Sequence, residues 1–431
     1  MPRDPAWDRH CSSLRLQAQF VRGYSPLTAA LLEQVVGWLS DPGGRGQELG
    51  NPDAVHRAAE RVIDLLEQGD PNIEGAWIND LEPTLRLNAC MHWYVLQNDP
   101  RVVELRPYYT TVPEGDGPDA RDPFDAEFAP RLLRAADRLG DELFQRAKTW
   151  RVQSNETSRG IAWLLPAVLV GAEAVYLVEL GCAAGLNLYA EQRAFELAWS
   201  RSARLRLGRG FDPRKGGQRE PFLIPCSGPQ PSPLDEFSEA ERAGPEVLRR
   251  VGGDINPIDL TRPDAEVTLE ACVWGDQRRR LERMREGIEV HRRHLRERSL
   301  VPAELRTMEL PDELVEFLQA SLPDHPVAPV IAFNTYVTAY LSDVNHRAVA
   351  RQMREFAKQW SLRHKLPWMW VRFEPARPGT EPPHPGWCRW LVEVFSGVKV
   401  RTIELGWAHP HLIRVEFGPG LVELRSLRDS R

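Results

Sequence analysis

The chain has 431 residues, 42% of them hydrophobic and 27% charged, with a formal charge of -6. That length exceeds one typical domain, and the apolar share suffices for a large core. The acidic balance gives no global signal for nucleic acid, so a nucleic-acid partner is not expected.

The first residues, MPRDPAWDRHCSSLRLQ, hold no apolar core and no cleavage-like site, so no secretory signal is expected. The six cysteines are scattered and form no Cys-x-x-Cys pair. That argues against a zinc site of common spacing and against a disulfide scaffold, so a cytoplasmic protein without a metal site is expected.

Residues from about 12 to 150 read as helices. In SPLTAALLEQVVGWLSD, Ser25 can cap the N-terminus and Pro26 suits the first turn. AVHRAAERVIDLLEQGD, LEPTLRLNACMHWYVLQNDP and AEFAPRLLRAADRLGDELFQRAKTW follow the same rule. TTVPEGDGPDARDPFD, between the last two, reads as a turn-rich acidic loop. The expectation is a helical N-terminal domain over 1–150 and an α/β domain over 151–431.

In QSNETSRGIAWLLP, Ser154 or Asn155 can cap a helix that runs through Trp163, with Glu156 in its first turn. The apolar run IAWLLPAVLVGAEAVYLVEL is interrupted by Pro166, Gly171 and Glu173. It reads as a helix followed by a strand rather than a membrane span. Strand-like runs then alternate with helices: VYLVEL, then NLYAEQRAFELAW as a helix; APVIAFNTY, then a helix from about Asp343; then WMWVRF. This pattern predicts a parallel sheet covered by helices. RWLVEVF, KVRTIELGW and HLIRVEF have no helix between them and predict an antiparallel meander closing the sheet.

Residues 206–250 are rich in glycine and proline and read as a flexible insertion or lid. In QRRRLERMREGIEVHRRHLRER, Leu281, Met284, Ile288 and Leu295 make one apolar stripe. The arginine-rich side reads as a solvated face, with His291 and His294 on the surface. In the later helix Val349, Met353, Phe356 and Trp360 share a core-facing side.

The strand VYLVEL ends in Glu179 and runs into Gly181-Cys182-Ala183-Ala184-Gly185. Small residues between a strand and a helix leave backbone N–H groups free at the carboxyl edge of a sheet, where a ligand can approach. NAD enzymes use G-x-G-x-x-G with an acid about 20 residues later. Here the spacing is Gly-x-Ala-x-Gly, and the acid comes two residues before the first glycine. That arrangement resembles motif I of class I S-adenosylmethionine-dependent methyltransferases. The bland alternative is a tight turn that binds nothing.

The segments QSNETSRGIAWLLPA, VELGCAAGLNL, GGDINPIDLT, ACVWGDQRRRLERM, VIAFNTYVTAYLS and GWAHPHLIRVEF carry a further resemblance. Over nearly the whole chain they resemble the uncharacterised bacterial family known as domain of unknown function 2332, whose C-terminal part is similar to class I methyltransferases. The loop departs from the family pattern in having Cys182 and Ala183 where Ala and Ser are common. The resemblance implies a Rossmann-like class I methyltransferase sheet, mostly parallel with antiparallel C-terminal strands. It implies S-adenosylmethionine as cofactor, held by Glu179, Gly181, Cys182, Ala183, Gly185 and Asn187. It further implies a ribose-binding acid, Asp254 with Asp259 in reserve, and Glu309 near adenine. Asn334 and Tyr336 arrive at the ligand edge on the fourth strand.

Glu156, Asn334 and Tyr336 are the catalytic candidates, and Asn155, Arg159 and Tyr336 the substrate contacts. The expected activity is methyl transfer to an unidentified small molecule. The alternative is a non-catalytic protein binding S-adenosylmethionine, a nucleotide or a partner on the same fold. A nicotinamide-dependent oxidoreductase is disfavoured by the position of Glu179. No Gly-x-Ser-x-Gly elbow, Walker loop or His-Glu-x-x-His motif is present. A metal at His409-Pro410-His411 would need further ligands that the sequence does not identify.

Overall fold

A computed structural model describes residues 5–67, 82–153, 155–211, 220–231, 233–377 and 379–428. Ser154, one of the two candidate caps, lies outside them. The chain divides into two compact units.

The first unit comprises Met1–Ser154 and Thr261–Arg283. Its helices form because apolar residues recur at helical spacing and the ends are capped. Ser25 caps helix Pro26–Ser40 by accepting from the Thr28 amide, and Asp41 caps Pro42–Glu48 through the Gly44 amide. Both helices carry proline at the start, where no N–H is missed. The stretch expected as one helix over 126–150 is two, Phe128–Leu139 and Asp141–Thr149. Gly140, at φ +56°, separates them. Segment 261–283 contributes Asp276, which accepts from Ser25 Oγ at 2.6 Å and the Leu27 amide at 2.9 Å. The core gathers Leu27, Trp38, Val62, Tyr94, Leu105 and Phe128.

The second unit comprises Asn155–Leu260 and Met284–Arg431. Its strands are β1 Ala174–Leu180, β2 Phe195–Ala198, β3 Arg204–Leu207, β4 Phe222–Ser227 and β5 Glu246–Asp254. They continue with β6 Ala303–Thr307, β7 Val330–Thr335, β8 Trp368–Pro375, β9 Cys388–Ser396, β10 Lys399–Ala408 and β11 Val415–Phe417. Among the described residues they form one eleven-stranded sheet in the order β3-β2-β4-β11-β10-β9-β8-β7-β1-β5-β6. The run β8-β7-β1-β5-β6 is wholly parallel, β8 to β11 form antiparallel pairs, and β11 joins β4 in parallel. The unit is thus mixed α/β with a mostly parallel sheet.

Strand alternation assigns the two faces. Val175 and Leu177 of β1 pack with helix Ile161–Leu169, whose residues are all buried. Tyr176, Val178 and Leu180 pack with helices Leu314–Ser321 and Asp343–His364. Val349, Met353 and Trp360 are buried on the latter, as their spacing predicts, and Phe356 is partly buried.

Four expectations need correction. NLYAEQRAFELAW is not an amphipathic helix: a 3-10 turn over Leu186–Gln192 is followed by β2. Phe195 and Leu197 are buried there, and Glu196 receives the guanidinium groups of Arg204 and Arg206 across β3. Residues 206–250 are not one long lid. Their described part supplies β4, the start of β5 and the capped helix Glu239–Arg242. The late meander does not close the sheet, because β11 carries it on to β4, β2 and β3. His291 and His294 are not on the surface: both are buried, with ring centroids 5.5 and 4.6 Å from that of Tyr189. The buried stripe of helix Arg278–Arg296 turns through Val290 to these histidines and leaves Leu295 47% exposed.

Candidate functional site

β1 ends at the carboxyl edge of the sheet between β5 and β7, the point where strand order reverses, a common place for ligands in open α/β sheets. The chain turns there through three left-handed residues, Gly181 at φ +69°, Ala183 at +49° and Gly185 at +68°. The sequence pattern suggested free amides in this loop, but the protein engages most of them. Gly181 and Cys182 both donate to the Gly253 carbonyl, at 2.7 and 3.1 Å, and Gly185 donates to that of Cys182 at 2.7 Å. Ala183 donates to Asp254 Oδ2 at 2.8 Å and Leu186 to Asn155 Oδ1 at 3.2 Å. The small residues serve close packing. A Cβ on Gly181 would lie 2.3 Å from Val337 Cγ2, and one on Gly185 would lie 2.8 Å from Leu305 Cδ2. Cys182 in turn fills the space above Gly252.

Asp254 ends β5, and its other oxygen accepts from the Asn256 amide at 2.9 Å. It therefore clasps the glycine loop to the turn after β5. Asp254→Ala is expected to leave two amides without this acceptor and cost about 1–3 kcal/mol. Thermal melting, with amide exchange at Ala183, checks this. An unchanged melting temperature and unchanged exchange would mean the clasp holds nothing. Asp259 is exposed, and so is Glu309, just beyond β6, whose amide donates to Glu313 Oε2 at 2.8 Å.

Glu179 and Asn187 form the polar centre of the turn. Asn187 Nδ2 donates to Glu179 Oε1 at 3.4 Å, and Trp163 Nε1 donates to the Asn187 carbonyl at 2.8 Å. Glu179 Oε2 and Asn187 Oδ1 are both buried without a hydrogen-bond partner. Burial pushes the Glu179 carboxyl well above its usual range; the Asn187 amide opposes this and the charge of Asp254 adds to it.

The β7 edge is built differently. Asn334 is locked between Trp370 Nε1, which donates to its Oδ1 at 2.8 Å, and Glu374 Oε1, which accepts from its Nδ2 at 2.6 Å. Glu374, at the end of β8, also accepts from the amides of Val337 and Thr338 at 3.0 and 2.9 Å and from Thr338 Oγ1 at 2.8 Å. Burial raises its pKa, and these donors, the Val337 amide foremost, pull it back. Tyr336 sits at φ +64°, a rare conformation for a bulky residue. Its amide donates to the Phe373 carbonyl at 2.9 Å. The Arg159 guanidinium lies 4.7 Å from its ring centre, and burial raises the phenol's pKa.

Residues before helix Ile161–Leu169 reach the same edge. Asn155 caps no helix: its Nδ2 donates to the Cys182 carbonyl at 3.4 Å while its Oδ1 accepts from Leu186. Glu156 caps the 3-10 turn Thr157–Gly160, accepting from the Ser158 amide and hydroxyl at 3.3 and 2.8 Å. Its second oxygen meets His411 Nδ1 at 3.0 Å. Arg159 Nε donates to the Pro410 carbonyl at 2.8 Å.

The structure thus joins Asn155, Glu179, Cys182, Ala183, Asn187 and Asp254 around the glycine loop, and Arg159 with Tyr336 beside β7. Glu309 joins neither group. Sequence reasoning missed Glu374, whose signal was an acid ending a buried strand, as with Glu179. It also missed His411 as the partner of Glu156. A groove of about 510 Å³, lined by Gln319, Gln352, Phe356, Trp360 and His364, lies elsewhere, between the helices that lead into β7 and β8. Among the described residues no group of three His, Cys, Asp or Glu could hold a metal ion, and no helix is long and apolar enough to cross a membrane.

A family model described as "Uncharacterized protein conserved in bacteria (DUF2332)" matches residues 12–417. No curated protein and no solved structure matches the chain.

Proposed function

The chain belongs to that family of uncharacterised bacterial proteins, and from this premise we propose an S-adenosylmethionine-dependent methyltransferase acting on a small molecule. The observation that carries the reading is the pair of orphaned polar atoms, Glu179 Oε2 and Asn187 Oδ1, at the end of β1. Buried polar atoms lacking a partner are costly and call for donors. The ammonium end of the cofactor supplies donors and positive charge, so the donor set fits. The acid before the glycine loop and the parallel run β8-β7-β1-β5-β6, with its switch point at β1, support a Rossmann-like methyltransferase sheet.

Glu179 and Asn187 would hold the amino end, and the remaining lone pairs of Asp254 would accept from the ribose hydroxyls. When bound, the cofactor would supply an electrophilic methyl group on a sulfonium. This chain's part is to orient the acceptor beside it, since positioning contributes much of the rate. Tyr336 and Arg159 form the acceptor wall. Asn334, tied to Glu374 and Trp370, positions that wall. A proton must be taken only if the acceptor loses one. Glu156, hydrogen-bonded to His411, is the group that would take it.

Glu179→Gln tests the reading with two opposite signs. Folding holds the proton on Glu179, whereas the unfolded chain releases it above the ordinary value of 4.5. The carboxyl therefore disfavours the folded state increasingly as pH rises above 4.5 toward its folded value. Glu179→Gln lacks this penalty, so its melting temperature should gain on wild type as pH rises above the ordinary carboxylate value of 4.5. The same variant should bind S-adenosylhomocysteine about tenfold or more weakly by calorimetry, because the amide, unlike the carboxyl, cannot give up a proton to become a counter-charge when the ammonium arrives. Equal affinity in both proteins would remove Glu179 from the site. NAD serves as the control ligand, and binding of NAD instead would favour the oxidoreductase reading.

A second reading, a binder without turnover, is favoured by one observation. Val337 and Leu305 occupy the space beside Gly181 and Gly185, and the loop amides are largely engaged by the protein itself. S-adenosylhomocysteine binding without methyl transfer to any acceptor would select it.

A further inference from the structure

We propose that Arg159 receives an oxyanion, a carboxylate or phosphate carried by the acceptor. The inference rests on the methyl-transfer reading of this site and names the acceptor's chemical class. Arg159 is 5% exposed. Its Nε donates to the Pro410 carbonyl, and its Cζ lies over the Tyr336 ring, 4.7 Å from the centre. It makes no ion pair with any described residue. An arginine stays charged in proteins, and a buried charge without a counter-charge is costly. The two buried acids on the neighbouring elements are already committed. Glu156 holds Ser158 and His411, and Glu374 holds Asn334, Val337 and Thr338. The counter-charge is therefore left for a ligand to bring.

The geometry suits an oxyanion. With Nε fixed by a carbonyl, the Nη1 and Nη2 groups remain as a planar fork, which matches carboxylate and phosphate oxygens. Neither Nη atom is a buried orphan, so both reach accessible space. The cation–π contact with Tyr336 holds the guanidinium in place. Tyr336 is itself held in a left-handed conformation at φ +64° by its amide bond to Phe373, strain of the kind that collects at ligand sites. The whole arrangement stands at the carboxyl end of β7, next to the β1 loop.

The test is calorimetry on the full chain at fixed ionic strength, with benzoate, phenyl phosphate and neutral benzamide as probes. Each is titrated with and without S-adenosylhomocysteine. The expected result is that at least one anion binds and benzamide does not. Binding of benzoate alone identifies a carboxylate, and binding of phenyl phosphate alone a phosphate. Arg159→Gln should weaken the anion about tenfold or more, and Arg159→Lys should restore part of it, since the charge returns without the fork. Melting curves confirm that both variants fold, and the anion-against-amide comparison on wild type stands without them. Wild type that binds neither anion overturns the proposal, as does anion binding unchanged in Arg159→Gln. S-adenosylhomocysteine binding in the same titrations keeps the two readings apart: if it binds and the anions do not, the oxyanion inference alone falls.

Discussion

Glu374→Leu is expected to destabilise the second unit by about 3–5 kcal/mol and to abolish ligand binding at the β7 edge. One buried carboxylate there receives the Asn334 amide, the Val337 and Thr338 backbone amides and the Thr338 hydroxyl. Leucine fills the volume but accepts nothing, so each donor loses its partner away from water. An unmade buried hydrogen bond costs about 1–3 kcal/mol, and a shared acceptor makes the losses less than additive. Glu374→Gln keeps one acceptor oxygen but turns an NH2 group toward donors, so an intermediate loss is expected. Chemical denaturation of the three proteins measures the series. A leucine variant within about 1 kcal/mol of wild type would show that the loop after β7 holds itself without Glu374.

Gly181→Ala carries the second large effect, and it communicates with the first. The residue sits at φ +69°, where a side chain costs about 1–2 kcal/mol of backbone strain. The added Cβ would also lie 2.3 Å from Val337 Cγ2 and 3.1 Å from Cγ1. Overpacking of that kind costs about 1–3 kcal/mol, so with the backbone strain a total of about 2–5 kcal/mol is expected. Val337 cannot retreat freely, because its amide is bound to Glu374. Val337→Ala removes the two γ carbons, so the double variant should be less destabilised than the sum of the singles. That positive coupling, read from a double-mutant cycle, separates steric crowding from backbone strain. Strict additivity would assign the whole effect to the backbone.

Elements with a long, one-sided apolar pattern were legible in the sequence. β1, β7 and β8 follow their apolar runs, and helix Asp343–His364 follows its repeat of Val349, Met353 and Trp360. The glycine loop was legible as a tight turn at a strand end. Its hydrogen bonding was not, because the acceptors come from Gly253, Asp254 and Asn155, which the sequence does not place in space. β2 was masked by its surroundings. Leu, Ala, Glu, Gln and Arg in NLYAEQRAFELAW all favour helix, while pairing with β3 and β4 overrides that preference. His291 and His294 looked like surface residues because arginines flank them. Tyr189 covers them from a turn a hundred residues earlier in the chain. Glu374 failed to stand out for the same reason: one acid among many gains meaning only when four donors converge on it.

The three-residue strand β11 has a consequence for biosynthesis. It pairs with β10 on one side and, through Val415 with Cys226 and Glu416 with Ser227, with β4 on the other. A ribosome that has completed β10 has made ten strands as two separate sheets, each with an unprotected border. The splint between them arrives only once Val415–Phe417 have been made. Until then β4 and β10 offer open backbone to any neighbouring chain, a recognised route to aggregation. Stop codons or proteolytic nicks near residue 412 should therefore yield sticky, insoluble product although ten of the eleven described strands have been synthesised.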